Sequence, residues 1–389
     1  MRDRIALIAG LLRESCWLAA DRLRGTGSVP RAAAEVTPQW LTQALQADFP
    51  GVRVAAVELI DQHAGTTDRA RLRLTYADTG AGAAPPPTVF IKAAPPDVKT
   101  RLFINLMRLG LHEVRFYQEI APALAVEHPR LFHACLSGPA QRFVLVLEDV
   151  AARGARFTDA ASEATLDLVR TVMRELGRLH ACFWNSPRLC GDLAWLRAPH
   201  HRPNAAVERY ACAAAVAPAL RRFADVVPPQ LHAIGPRIME RRDAFEAAWG
   251  RGPLTVVHGD AHIGNLYLLP ETVGFLDWQV VQSCQGMRDV TYFLIGSVPT
   301  ALRRAHQRDL IGLYLETLRD HGVAAPDFDE AWLQYRLHVP WVFFSAVVTA
   351  ASATMQAEAI GRAALARTCA AVLELDPIEA LEKSQRASG

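Results

Sequence analysis

The stretch His258-Gly259-Asp260-Ala261-His262-Ile263-Gly264-Asn265 sits between two short apolar segments, Thr255–Val257 and Leu266–Leu268. A further apolar run then ends in Leu276-Asp277-Trp278-Gln279. This pattern constrains the chain more than any other. A carboxylate is followed at fixed spacing by a carboxamide, and a second carboxylate arrives after one more strand. Asp260 can serve as a base for a hydroxyl proton, while Asn265 and Asp277 carry the oxygen ligands that magnesium prefers. Taken singly, Asp260 could instead cap a turn and Asp277 could end a strand. Asn265 and His258 at this spacing argue for the chemical reading.

Phosphoryl transfer from ATP needs these parts and little covalent chemistry besides, and an Asp followed by four residues and an Asn is the catalytic-loop spacing of kinases. On HGD-x-H-x-x-N with its following LDW, the chain resembles the aminoglycoside phosphotransferase/choline kinase-like superfamily. Within it, the pattern is most like the bacterial phosphotransferases similar to ecdysteroid kinases. The resemblance runs from about Val52 to the helices near Ala370.

It implies an α+β, bilobal, protein-kinase-like fold: an N-terminal antiparallel sheet lobe and a larger, mainly helical C-terminal lobe. It also implies ATP and Mg2+ as cofactors and a hydroxyl group of a small molecule as acceptor. On this resemblance Asp260 is the catalytic base, and Asn265 and Asp277 bind magnesium. Asp277 occupies the first position of the Asp-Phe-Gly signature; without the Gly, Asp277-Trp278-Gln279 is not expected to flip as a switch. Lys92, at the end of Val89-Phe90-Ile91, matches the lysine that holds the α- and β-phosphates. Burying it requires a partner, and Glu113 on the next helix fits, with Glu119 as competitor. The alternative is a solvated Lys92 and a surface Glu113.

Gly65, Thr66 and Thr67 are expected over the phosphates through backbone N–H groups and hydroxyls, although the three-glycine pattern of protein kinases is missing. Asp68 is unwelcome beside phosphate and is expected to turn outward. Leu147, Glu148 and Val150 would meet adenine through backbone groups. His258 and Asp289 would brace the catalytic loop, with Arg288 assisting, and His180 reads as a packed, hydrogen-bonded residue.

At 389 residues the chain is too long for one small domain, and 51% hydrophobic against 21% charged residues supplies a large core. The expected division is a helical extension over 1–50, a nucleotide-binding lobe over 51–149 and a catalytic and substrate lobe over 150–389. A net charge of +2 without a dense Lys/Arg patch argues against a nucleic-acid partner. The seven cysteines are scattered and form no C-x-x-C pair, which suits free thiols in a reducing cytoplasm. No apolar run reaches the ~18 residues of a membrane span, so no stable insertion is expected. Nothing in the sequence sets an oligomeric state. The start of the chain faintly resembles a signal peptide, but Arg13 and Glu14 cut the apolar run. Ile5, Ile8, Leu11, Leu12 and Leu18 suit one face of a helix packed on the body.

Thr37-Pro38 reads as a cap and first turn of a helix to about Gln46. Strands are expected over Val52–Leu59, Arg71–Tyr76, Thr88–Ala93 and Phe143–Leu147, and a helix over Leu102–Ile120. Helices follow over Ala164–Trp184, Asn204–Ala214, Pro228–Trp249, Leu302–His321, Phe328–Met355 and Ala357–Glu374. Glu382–Gly389 reads as a frayed tail.

A zinc-hydrolase reading of His258, Asp260 and His262 leaves Lys92, Glu113 and Asn265 unexplained. A nucleotide-binding pseudokinase with a scaffold or sensor role is the alternative of another class; the intact set Lys92, Glu113, Asp260, Asn265 and Asp277 speaks against it. For a protein kinase, the Gly-rich loop and the Ala-Pro-Glu segment are missing. Aminoglycosides call for clustered acids, and the segments Asp192–Trp249 and Asp327–Glu358 have only scattered ones. Those segments offer Trp195, Tyr210, Trp249, Trp332, Tyr335, Trp341, Phe343 and Phe344, most of them expected in the core. Any that line a pocket favour an apolar, steroid-like or terpenoid alcohol, and next a choline-type quaternary ammonium.

Overall fold

The computed structural model describes residues 2–23, 29–138, 140–159, 164–196, 205–351 and 357–387. The chain divides into two compact units. The first holds Met1–Ala123, His128–Arg156 and the short return segment Leu276–Val280; the second holds Leu124–Glu127, Phe157–Phe275 and Val281–Gly389.

The first unit opens with α1 (Arg2–Leu23) and α2 (Pro38–Leu45). Five strands follow: β1 (Val52–Ala64), β2 (Asp68–Thr79), β3 (Thr88–Ala93), then, after α3 (Val98–Met107) and α4 (Leu109–Arg115), β4 (Leu131–Ser137) and β5 (Arg142–Glu148). They form one antiparallel sheet in the order β1-β2-β3-β5-β4. One face packs on α2 and the segment before it, through Val29, Ala33, Leu41, Leu45, Leu72, Ile91 and Val146. The Thr37 hydroxyl caps α2 by accepting from Trp40 N at 3.2 Å, and Thr42 on α2 accepts from Val54 N of β1 at 3.0 Å.

Of the apolar face expected for α1, Ile5, Ile8 and Leu12 are exposed, Leu11 is half-buried and Leu18 is buried. Glu14 is buried as well, and Asp21 pairs with the buried Arg142 of β5. The single helix expected over Leu102–Ile120 breaks at Arg108, which adopts a left-handed φ of 56° between α3 and α4. The break lets α4 lie close on the sheet. A Cβ at Gly110 would overlap the Phe143 ring, so only glycine fits there. Strand β4 escaped the sequence reading because all seven of its residues are half-buried, leaving no clean alternation.

In the second unit, after the two-residue β6 (Arg156–Phe157), the elements are α5 (Leu166–Ala181), α6 (Ala205–Arg222), α7 (Leu231–Glu240), α8 (Arg242–Trp249), β7 (Thr255–Val257), β8 (Leu266–Leu268), β9 (Val273–Phe275), β10 (Gln282–Cys284), α9 (Met287–Gly296), α10 (Thr300–Asp320), α11 (Phe328–Ala351), α12 (Glu358–Leu375) and α13 (Pro377–Arg386). β7 pairs with β10, and β8 with β9. The helix expected over Pro228–Trp249 is two helices that part at Arg241. The supposed tail is helical to Arg386, started by Asp376 accepting from Glu379 N and tied down by the Arg241–Glu382 ion pair at 2.7 Å. Asn204, Met355 and the last residues of the tail lie outside the described residues. No helix among the described residues is long and apolar enough to cross a membrane.

Candidate active site

In the first unit, the central strand β3 ends on Lys92, which is 4% exposed. Its ammonium lies 2.7 Å from Glu113 Oε2 and 2.7 Å from Asp277 Oδ1. Glu113 is supplied by α4, whose close seat on β5 is the one Gly110 permits. The competing Glu119 is bound to Arg115 at 2.7 Å. Burial works to lower the Lys92 pKa, but the Asp277 and Glu113 carboxylates more than offset this and hold it above its ordinary value. Burial also raises the Glu113 carboxyl, against the pull of Lys92.

Asp277 adopts φ 64°, a left-handed conformation that short polar residues tolerate better than most. Its side chain is 24% exposed, and Oδ2 accepts from Gln279 Nε2 at 3.2 Å. The next residue, Trp278, is fully buried and stacks on Phe116, with ring centroids 4.0 Å apart. That stack holds Trp278 against α4's C-terminal continuation. Gln279 is a contact the sequence reading missed; its signal was only its place two residues after Asp277.

Asp68 pairs with Ala93 and Arg69 with Lys92, so the Gly65–Thr67 turn stands at the Lys92 end of β3. Gly65 and Thr66 are exposed at the turn, whereas Thr67 is buried. Asp68 does not turn outward. It is buried and accepts from Ala33 N at 2.7 Å and Gln62 Nε2 at 2.8 Å, tying the segment before α2 to the sheet. At the other end of β3, Glu148 pairs with Val89, and its N–H already donates to Arg130 O at 2.8 Å. Val150 is buried and opens a short turn capped by Asp149, which also binds Arg71 at 3.1 Å.

The second unit gathers His258, Asp260, Asn265 and Asp289. Asp289, on the first turn of α9, is fully buried and accepts from His258 N at 2.6 Å and Gly259 N at 2.9 Å. His180 Nε2 lies 3.2 Å from the same carboxylate, and Tyr314 Oη lies 2.9 Å from His180 Nδ1. A carboxylate only accepts, so His180 donates from Nε2 and receives the Tyr314 hydroxyl at Nδ1. Burial works against the Asp289 charge, yet the donors from His180 and the loop hold its pKa below the ordinary value. Gly286 completes the network, since a Cβ there would overlap the Tyr314 hydroxyl. Arg288 takes another place: its guanidinium lies between Trp249 and Trp341, 4.4 and 4.1 Å from their ring centres.

Braced in this way, the loop presents Asp260 with a quarter of its side chain exposed. Asn265 Nδ2 donates to Asp260 O at 2.9 Å and to Asp260 Oδ2 at 3.2 Å. The amide nitrogen being committed, Oδ1 is left for a cation. Asn265 Oδ1 and the Asp277 carboxylate are oxygen donors of the kind magnesium prefers. The zinc alternative fails on geometry. His258 is fully buried with Nδ1 accepting from Asp260 N, and His262 Nδ1 accepts from Gly264 N.

The model of the ecdysteroid kinase-like family matches residues 66–186 and 206–324. The chain belongs to the ecdysteroid kinase-like family. Among solved structures it is similar to choline kinase from Cryptosporidium parvum Iowa II, at 10% identity and a TM-score of 0.53 over 89% of this chain and 98% of that one. A choline/ethanolamine kinase family protein from Mesorhizobium loti matches at 13% identity and 0.48, over 90% and 99% of the two chains. An aminoglycoside-3'-phosphotransferase of type VIII matches at 21% and 0.41, over 77% and 97%. The first of these shows the protein-kinase-like fold. No curated protein matches the sequence. As a member of the ecdysteroid kinase-like family, the protein is a small-molecule phosphotransferase of the kinase-like superfamily.

Proposed function

We propose that the protein transfers a phosphoryl group from ATP, with magnesium, to a hydroxyl of a small molecule. The observation that carries this reading is the Lys92–Glu113–Asp277 cluster, an ammonium kept charged in a buried place beside a strained, partly exposed carboxylate. Lys92 would hold nucleotide phosphates, with Glu113 fixing its ammonium. The Gly65–Thr66 turn and the backbone around Val150 stand at the two ends of the same strand, where phosphate and adenine contacts are expected. Bound magnesium, held by Asp277 and Asn265, would neutralise phosphate charge. Asp260 accepts the acceptor's proton as its oxygen bonds to the γ-phosphorus, and the bond to the β–γ bridging oxygen breaks to release ADP.

The acceptor proposed is an apolar or steroid-like alcohol. From Ala331 to Ala351, α11 carries no carboxylate, which does not suit a polycationic aminoglycoside. Seven free cysteines support a reducing cytoplasm as its location. The test is a pooled incubation with MgATP, read by mass spectrometry for any compound that gains a phosphoryl group. The pool holds steroids, terpenoid alcohols, choline analogues, sugars and aminoglycosides, with Asp260→Asn as control. An alcohol phosphorylated by the wild type alone supports the proposal. MgATP binding without any phosphorylated product would favour the pseudokinase reading, and a phosphorylated aminoglycoside would overturn the acceptor class.

A further inference from the structure

Helix α9 is fastened to the catalytic loop at both ends. Asp289 on its first turn binds the N–H groups of His258 and Gly259, and Ser297 just past its last turn accepts from Ile263 N at 2.9 Å. The loop residues between these two attachments are Asp260, Ala261 and His262. On the helix between them, Tyr292 stands three positions after Asp289 and hence one turn along, and its phenol faces the Asp260 carboxylate. Tyr292 is 8% exposed, and its hydroxyl lies 2.8 Å from Ser345 Oγ of α11.

We propose that Tyr292 is a positioning residue for Asp260, donating its phenolic proton to the carboxylate while Ser345 donates to the phenol oxygen. The direction of this chain follows from the chemistry of its members. Asp260 as a carboxylate can only accept, so the proton between it and Tyr292 belongs to the phenol, which leaves the phenol oxygen to receive the Ser345 hydroxyl. Burial first, and then the Asp260 carboxylate beside it, raise the Tyr292 pKa well above its ordinary value and keep that donor in place. With Asn265 Nδ2 on Oδ2, the carboxylate is gripped from the loop and from α9. It is thereby turned to one orientation before an acceptor arrives, the condition under which a base within hydrogen-bond reach of its proton is effective. Trp341, one turn before Ser345 on α11, continues the same surface.

This inference rests on Asp260 being the base, and the test separates the two. Initial rates are measured with the acceptor recovered from the pooled incubation and, with water as acceptor, as phosphate release from MgATP. Tyr292→Phe should lower kcat about 10- to 100-fold, the loss of one hydrogen bond to a charged group, with KM for MgATP and the melting temperature unchanged. Ser345→Ala should give a smaller loss in kcat and no further loss in the Tyr292→Phe background, because it acts only through the phenol. A wild-type kcat in Tyr292→Phe, or full additivity of the two losses, would overturn the positioning role. If Asp260→Asn kept the wild-type rate, the base assignment itself would fall. Ser345 is half-buried, so its variant keeps the test open should Tyr292→Phe prove unstable.

Discussion

The two buried carboxylate clusters are built on opposite plans. In the first unit, the buried ammonium of Lys92 is held between the Glu113 and Asp277 carboxyl groups, with Gln279 as a further donor to Asp277. One of them, Asp277, is partly exposed on a left-handed backbone. In the second unit, Asp289 is fully enclosed and its partners are main-chain N–H groups and the His180 imidazole. A cluster of mobile charges can exchange partners when phosphate or a cation arrives. A carboxylate saturated by backbone donors cannot, and serves to hold a loop still. The difference suits the first cluster to binding in the proposed reaction and the second to holding the loop's geometry.

The largest break expected is Asp260→Asn. Turnover should fall about 10^2- to 10^4-fold, as for loss of a general base, while MgATP affinity stays near wild type in calorimetry. Next comes Lys92→Met. It leaves the Glu113 and Asp277 carboxyl groups in a buried place without their cation, and should cost about 3–5 kcal/mol of stability in urea unfolding. MgATP binding should be lost with it.

Asp289→Asn should cost about 2–4 kcal/mol at neutral pH, because an amide nitrogen would face a loop N–H. Its pH dependence has a definite sign. Asp289 has a lowered pKa in the folded protein, so its contribution is complete above the unfolded aspartate value, about 3.9, and is lost as the pH falls through the folded value. The gap between wild type and variant should therefore narrow in acid; a gap that widened would contradict the network. The smallest effect is expected from Gly110→Ala, about 1–3 kcal/mol from overlap with Phe143. Any shift of α4 that relieves the overlap should also weaken MgATP binding through Glu113.

The motif residues were legible because their chemistry demands a fixed spacing. The same holds for Thr88–Ala93, whose apolar run is bounded by Pro87 and Lys92, and for the Thr37 cap. Less legible were features decided by tertiary contact. Nothing local in Arg108 announces a left-handed residue; the close seat of Gly110 on Phe143 imposes it. The apolar periodicity of α1 was read as a buried face, but the burial reaches Leu18 and not Ile5, Ile8 or Leu12, and the helix end is held by the Asp21–Arg142 pair. Asp68 looked like a misplaced charge beside phosphate, and it proves to be a buried acceptor for a backbone N–H from a distant segment. Periodicity reports which faces are apolar, and tertiary contact decides which are buried.

The division of labour between the clusters is tested most directly by titrating MgATP into Asp277→Ala and Asp260→Asn, with and without magnesium, by calorimetry. The expected result is that Asp277→Ala loses the magnesium-dependent part of binding while Asp260→Asn binds as the wild type does. Wild-type, magnesium-dependent binding in Asp277→Ala would contradict the account.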